Sequence, residues 1–278
     1  MLLVKQNRWK NYLMGTTHSR TYIESKGEYV IYLDADDYMD NTTIEKLINK
    51  ANENKYDAVV CNYRYVYEDG STKDIIYPNF DNKNLKNNPE LLVTIMPQPW
   101  NKIVKRQVML DSSIKFPDGL VFEDLCFYSC LMPHLKNVAM IKDSLINYVQ
   151  LNSSIMSEAK SIKKTIYDFD KVIEIINKYF DINYHNLYKE ELEGLYILNA
   201  RELIDGIFKN RNVSKDEKEK AISSILNTIN KIYPKWYDNK YYKERYYSRG
   251  FVYRTKRKAI DKLLSKGKYK LVLEKVVK

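Results

Sequence analysis

The apolar positions of this chain fall into two textures. Up to about residue 155, short β-branched and aromatic runs alternate with helical stripes. The run from Glu28 to Asp34 (Glu-Tyr-Val-Ile-Tyr-Leu-Asp) reads as a buried strand, and further strands are expected from Asp57 to Tyr67, Val138 to Ile141 and Leu145 to Leu151. Between the first two, Ile44, Leu47, Ile48 and Ala51 share one face of a helix, with Asp40 or Asn41 as its expected cap. Glu68-Asp69-Gly70-Ser71 marks a hairpin-like turn, followed by a loop-rich stretch that holds Pro78, Pro89, Pro97, Pro99 and Pro117. Such alternation is the signature of an α/β fold.

From about residue 156 the apolar spacing becomes three and four. Ile162, Ile166, Phe169, Ile173, Ile176 and Phe180 form one stripe, and a second helix is expected from about Leu187 to Phe208 with Leu192, Leu195, Leu198 and Leu203. A third opens with Ser214-Lys215-Asp216-Glu217, a capping-box pattern, and carries Ile222, Ile225, Leu226, Ile229 and Ile232. These stripes read as core faces. The expected organisation is an α/β domain over residues 1–155, a helical region over 156–235 and a basic, aromatic tail over 236–278.

Composition narrows the class. A chain of 278 residues with 44% hydrophobic and 29% charged content has room for one large or two small packed domains. No apolar run approaches the length of a membrane span, and the opening Met1-Leu2-Leu3-Val4-Lys5 is too short for a signal peptide. Cys61, Cys126 and Cys130 form no metal or disulfide pattern and read as core residues of a reducing compartment. A cytoplasmic location is expected.

Charge changes the picture at one end only. Residues 240–278 hold 14 lysines and arginines against three acids, a net +11, whereas the whole chain is +10. The remainder is therefore close to neutral. Trp236, Tyr237, Tyr241, Tyr242, Tyr246, Tyr247, Phe251 and Tyr253 crowd the start of this tail. Cations beside interfacial aromatics suit an anionic membrane surface, which would place the protein peripherally at the inner face of the membrane. They would also suit nucleic acid, although the acidic strand end argues against it, and a solvated helical face would need no partner.

Two acidic constellations carry the candidate chemistry. Asp34-Ala35-Asp36-Asp37 closes the first buried strand, where α/β sheets place their ligands. Asp34 and Asp36 can offer hard oxygen ligands to a divalent cation that also grips phosphates. The second, Phe122-Glu123-Asp124-Leu125, ends a loop and opens a helical pattern, where the helix dipole favours ionised carboxylates. An aspartate held there is a candidate general base. Upstream, Pro99-Trp100-Asn101-Lys102-Ile103 sets a tryptophan and an amide before a basic segment.

In order and spacing these three motifs resemble the family-two glycosyltransferases of bacteria, over roughly residues 15–156. The resemblance implies a partial GT-A, Rossmann-like mixed sheet followed by a C-terminal α-helical region. It implies an inverting transfer from a nucleotide-diphosphate sugar, in the first instance a UDP-sugar, to a glycan or polyol-phosphate acceptor of the cell-surface or teichoic-acid type. It makes Asp34 and Asp36 the DXD ligands of Mn2+ or Mg2+, with Asp37 beside them at the donor. Asp124 becomes the base that deprotonates the acceptor hydroxyl and Glu123 its supporting acid, while Trp100 and Asn101 line the acceptor pocket.

The chain also departs from the family pattern. Thr17-His18-Ser19 stands where the family carries Ala-Arg-Asn, so His18 replaces an arginine. Nothing matches the family's first nucleotide-binding strands, and Tyr148 to Ile155 lacks the basic residue of a phosphate-contacting segment. The strand from Glu28 to Asp34 should then cover its open edge with residues 1–15, with a partner such as a second copy of the chain, or remain marginally stable. A catalytically inactive binding or scaffold module on the same fold is the alternative reading.

Overall fold

The computed structural model describes residues 2–6, 14–95, 97–150, 162–210, 213–248 and 250–276. The chain forms two compact units, Met1–Ser154 and Ile155–Lys278.

The first unit is a mixed sheet flanked by helices. In chain order it runs β1 (Leu2–Gln6), α1 (Met14–Glu24), β2 (Tyr29–Asp34), β3 (Tyr38–Met39), α2 (Thr43–Glu53), β4 (Ala58–Tyr67), β5 (Thr72–Ile75), α3 (Leu91–Thr94), β6 (Lys102–Lys105), α4 (Arg106–Ser112), α5 (Glu123–Leu131) and β7 (Val138–Gln150). The strand order is β1-β2-β6-β4-β7-β3, with β5 paired to the outer half of β4. The β1–β2 and β4–β7 ladders are parallel and the others antiparallel. Ile31, Leu47, Tyr56, Val59, Cys61, Ile103 and Ile146 are fully enclosed, so the core lies between this sheet and α2. Burial of each such side chain stabilises by roughly 1.5–3 kcal/mol.

Two elements differ from the sequence expectation, and a third, the cover on the edge of β2, follows its first alternative. The two strands expected over 138–151 are one, β7. Exposed Lys142 and Asp143 loop outward while the register against β4 shifts between Cys61 and Tyr63, so a polar interruption becomes a bulge and not a break. Strand β6, central in the sheet, has only four residues and a lysine at each end, too short to show a period. The open edge of β2 is covered by residues 2–6, in register from Leu2 opposite Val30 to Gln6 opposite Asp34.

The expected cap of α2 is also corrected. The N-cap is Thr42, without a side-chain cap bond. Asp40 instead accepts a hydrogen bond from Asn147 Nδ2 at 2.8 Å and lies 3.7 Å from the Arg64 guanidinium. A carboxylate already held by a neighbouring strand is not released to cap.

The second unit is helical: α6 (Ile162–Tyr184), α7 (Lys189–Lys209), α8 (Lys215–Ile232), α9 (Lys240–Tyr247), α10 (Phe251–Leu264) and α11 (Tyr269–Val276). Ser214 and Glu217 form the reciprocal capping box of α8. Trp236, Tyr241, Tyr242 and Tyr246, expected at an interface, are buried. Tyr242 and Tyr247 donate to Asp261 Oδ2 at 2.8 and 3.0 Å, and the Arg257 guanidinium stacks on Tyr246. Phe251 and Val252 remain largely exposed at the start of α10, next to Arg254, Lys256 and Lys258.

Candidate active site

The site is assembled where β2 ends. Five consecutive buried residues, Tyr29 to Leu33, drive β2 into the sheet and deliver Asp34 to its carboxyl end. The turn closes by a hydrogen bond from Asp37 N to Asp34 O at 3.2 Å. Asp37 is buried, and its Oδ1 accepts from Val149 N at 2.9 Å, so it staples the turn to β7. Asp34 and Asp36 are only partly buried. Tyr148 on β7 has its phenol pushed up by burial and by the charges of Asp37, Asp34 and Asp36, so its ring stands near all three.

Helix α5 supplies the second half. Phe122, at φ 69°, turns the chain sharply into the helix, and Glu123 and Asp124 form its first turn. From Leu125 to Leu131 every side chain is buried, which anchors the helix and fixes both carboxyls. Asp124 Oδ1 accepts from Leu125 N at 2.8 Å. Both acids keep a limited opening to solvent while lying deep among protein atoms. Burial, then the charges of Asp124 and Asp34, push Glu123 up to about 8, so it is mostly protonated at neutral pH. Burial also raises Asp124, and the Lys102 ammonium opposes that rise.

Two buried nitrogen groups complete the surroundings. His18 on α1 lies with Nδ1 3.9 Å from Glu123 Oε1, edge-on to Tyr32 and tilted against Phe116. Burial pulls it down to about 4, so it stays neutral and does not supply the charge of the arginine it replaces. Helix α1 is held in place by Arg106, whose guanidinium donates to the Tyr22 and Ile23 carbonyls, and by Ser19 Oγ, which accepts from Phe116 N. Lys102 on β6 is buried, donates to Asn101 Oδ1 at 2.8 Å and to Gln98 O, and sits 4.6 Å from the Tyr128 ring centre.

Trp100 and Asn101 are enclosed. Trp100 stacks on Tyr148 at 5.1 Å and meets Tyr63 edge-on at 4.7 Å. Asn101 bridges β4 and Lys102: its backbone oxygen accepts from Cys61 N at 2.9 Å, and its Nδ2 donates to Cys61 O at 3.3 Å. The sequence reading assigned no role to Lys102, which heads the short run Lys-Ile-Val-Lys and shows no signal of burial by itself. The expected phosphate-contacting segment lies, from Leu151 onward, outside the described residues.

Among the described residues no group of three or more His, Cys, Asp or Glu is placed to hold a metal. Asp34 and Asp36 nevertheless fit a hard cation whose shell is completed by phosphate oxygens, since they offer only oxygen and keep some exposure.

Fold and site together define a GT-A-like glycosyltransferase fold. Residues 23–111 match the family model Glycosyl transferase family 2, and the chain is similar to two curated glycosyltransferases. It is 25% identical over 234 residues to the Cholesterol galactosyltransferase of Borreliella burgdorferi, covering 78% of this chain and 65% of that protein. It is 23% identical over 208 residues to the Putative glycosyltransferase EpsH of Bacillus subtilis, covering 70% and 59%. The crystal structure of S. aureus TarS 1-349 in complex with UDP-GlcNAc shares the fold at TM-score 0.56 and 18% identity, over 80% of this chain and 62% of that one. The complex of the same protein with UDP gives 0.57 at 16% identity, over 81% and 62%. The chain thus spans 65% and 59% of the length of these two curated relatives. Among the described residues no helix is long and apolar enough to cross a membrane.

Proposed function

We propose that this chain transfers a sugar, with inversion, from a nucleotide-diphosphate donor to a glycan or polyol-phosphate acceptor, with Asp124 as the general base. The observation that carries the reading is that Asp34, from the end of β2, lies near enough to Glu123, in the first turn of α5 beside Asp124, for its charge to help raise the Glu123 carboxyl. One carboxylate pair is open enough for a cation and a diphosphate; a second, desolvated pair offers a proton acceptor. UDP is the expected nucleotide, and the complexes of TarS with UDP and UDP-GlcNAc support that choice by analogy of fold.

Asp34 and Asp36 would hold Mn2+ or Mg2+, which when bound offsets the charge of the departing diphosphate. Asp124 would accept the proton of the attacking acceptor hydroxyl. Glu123, protonated at neutral pH, would donate a hydrogen bond and not compete for that proton. Trp100 and Tyr148 would form a stacked wall that keeps the acceptor side apolar, with Asn101 holding Lys102 behind it. The basic α10, with exposed Phe251 and Val252, would rest on the anionic cytoplasmic face of the membrane.

Calorimetry with UDP, in the presence and absence of Mn2+, tests the donor half. Mn2+ should strengthen UDP binding in the wild type, and Asp36→Asn should abolish that gain. Metal-dependent affinity that survives Asp36→Asn would contradict the assignment.

A further inference from the structure

We propose that the acceptor is a neutral glycan, bound along a row of aromatic rings that runs from the acidic turn out over the β4–β5 hairpin, with Tyr148, Tyr65 and Tyr67 as its stacking platforms. The inference rests on the reading of this chain as a glycosyltransferase, and it selects the glycan over the polyol phosphate.

Side chains two apart on a strand share a face, so Val59, Cys61, Tyr63, Tyr65 and Tyr67 project the same way from β4. Val59 and Cys61 are fully enclosed in the core, whereas from residue 63 outward each of these positions is a tyrosine. Burial falls along the row: Tyr63 is buried, Tyr65 half-buried and Tyr67 38% exposed. Strand β7 extends it, because Tyr148 lies opposite Tyr65 in the parallel ladder and therefore on the same face. The rings follow one another without a gap. Trp100 stacks on Tyr148 at 5.1 Å, Tyr148 lies 5.7 Å from Tyr65, and Tyr65 lies 6.3 Å from Tyr67. The inner end of the row is tied to the acidic turn, since Asp37 Oδ1 accepts from Val149 N, next to Tyr148. The outer end reaches the hairpin turn, where Gly70 N donates to the Tyr67 carbonyl.

A core needs no tyrosine at its half-exposed margin, where leucine or valine would bury as much apolar surface. Tyrosine adds a flat ring with a polar tip, which packs on the C–H face of a sugar and bonds to its hydroxyls. Charge decides between the acceptors. Residues 63–77 hold Arg64 and Lys73 against Glu68, Asp69 and Asp74. Arg64 projects from the opposite face, where it lies 3.7 Å from Asp40 and 3.5 Å from Asp74 and donates to the Ser144 carbonyl. That leaves Lys73, opposite Tyr65, on the aromatic face of the hairpin, with Asp34, Asp36 and Asp37 at the inner end of the row. A polymer with a phosphate in every repeat would meet more like charge than opposite charge along this path, and an uncharged glycan would meet no such penalty.

The full chain, applied to an array of neutral oligosaccharides, poly(glycerol phosphate) and poly(ribitol phosphate), tests this without donor or turnover. Salt near ~1 M shortens the Debye length to about 3 Å and so suppresses binding of the polyanions by the cationic tail. The wild type should bind neutral oligosaccharides. Tyr67→Ala should weaken that binding about 2- to 10-fold, the scale of one aromatic stacking contact. Tyr67→Leu, which keeps apolar bulk without a planar face, should behave like Tyr67→Ala, and Tyr67→Phe should retain most of the binding. Mn2+-dependent UDP affinity should be the same in the wild type and all three variants. Glycan binding indifferent to Tyr67→Ala and Tyr67→Leu would overturn the inference, as would no neutral glycan bound, UDP affinity lost together with glycan binding, or a polyol phosphate whose binding falls in these variants. A wild-type chain without UDP affinity would count against the proposed function, while the array would still decide the role of the aromatic row.

Discussion

Glu123→Gln should make the chain more stable at alkaline pH, although it deletes an acid from the centre of the site. Glu123 has an ordinary value of 4.5 and is raised to about 8, with burial as the largest cause. The folded state therefore holds the proton more tightly than the unfolded chain does between those values. Stability is lost as pH rises through that window and is fully lost above the folded value. The shift corresponds to a penalty on the order of 3–5 kcal/mol for the ionised form, and the remaining 13% side-chain exposure places the expectation at the lower end. Glutamine mimics the protonated acid and carries no such penalty. Thermal unfolding of nucleotide-free, chelator-treated protein from about pH 5 to pH 9 is the assay. The two proteins should melt together near pH 5 and diverge by several degrees at pH 9, because each kcal/mol moves the midpoint by about 2–4 °C in a protein of this size. A constant gap across pH, or a variant less stable at pH 9, would refute the argument.

Two further outcomes are expected. Gly194→Ala on α7 should destabilise the helical unit by about 1–3 kcal/mol despite the roughly 1 kcal/mol gain in helix propensity, because the new methyl would lie 2.8 Å from Tyr241 Cδ2 and 3.3 Å from Asn239 Oδ1. Urea unfolding followed through the buried Trp236 measures it, and a stabilised variant would contradict it. Binding to vesicles should rise with anionic lipid, fall with salt and weaken in Phe251→Ser, whereas equal binding to neutral vesicles would exclude electrostatic docking through α10.

Much of the first unit was legible in the sequence because its strands are long enough to show a pattern. Buried Tyr29 to Leu33 announced β2, and with it the position of Asp34. Strand β6 was not legible, since four residues between prolines and a helix carry no period. Its place at the centre of the sheet is set by pairing with β2 and β4, which are distant in sequence. The same tertiary cause hid the burial of Lys102, a lysine that reads as surface until its neighbours close around it. The tail misled for the opposite reason. Its tyrosines have the composition of an interface, yet Tyr242 and Tyr247 satisfy their hydroxyls on Asp261 within the helical unit. Composition alone does not distinguish an aromatic that faces lipid from one that has found a buried carboxylate.

Acceptor-dependent release of UDP from a UDP-sugar in Mn2+, compared between the wild type and Asp124→Asn, tests the central claim most directly. The account predicts turnover by the wild type, a loss of ~10²-fold or more in the variant, and UDP affinity preserved in both. Near-normal turnover by Asp124→Asn, or loss of UDP binding together with turnover, would contradict it.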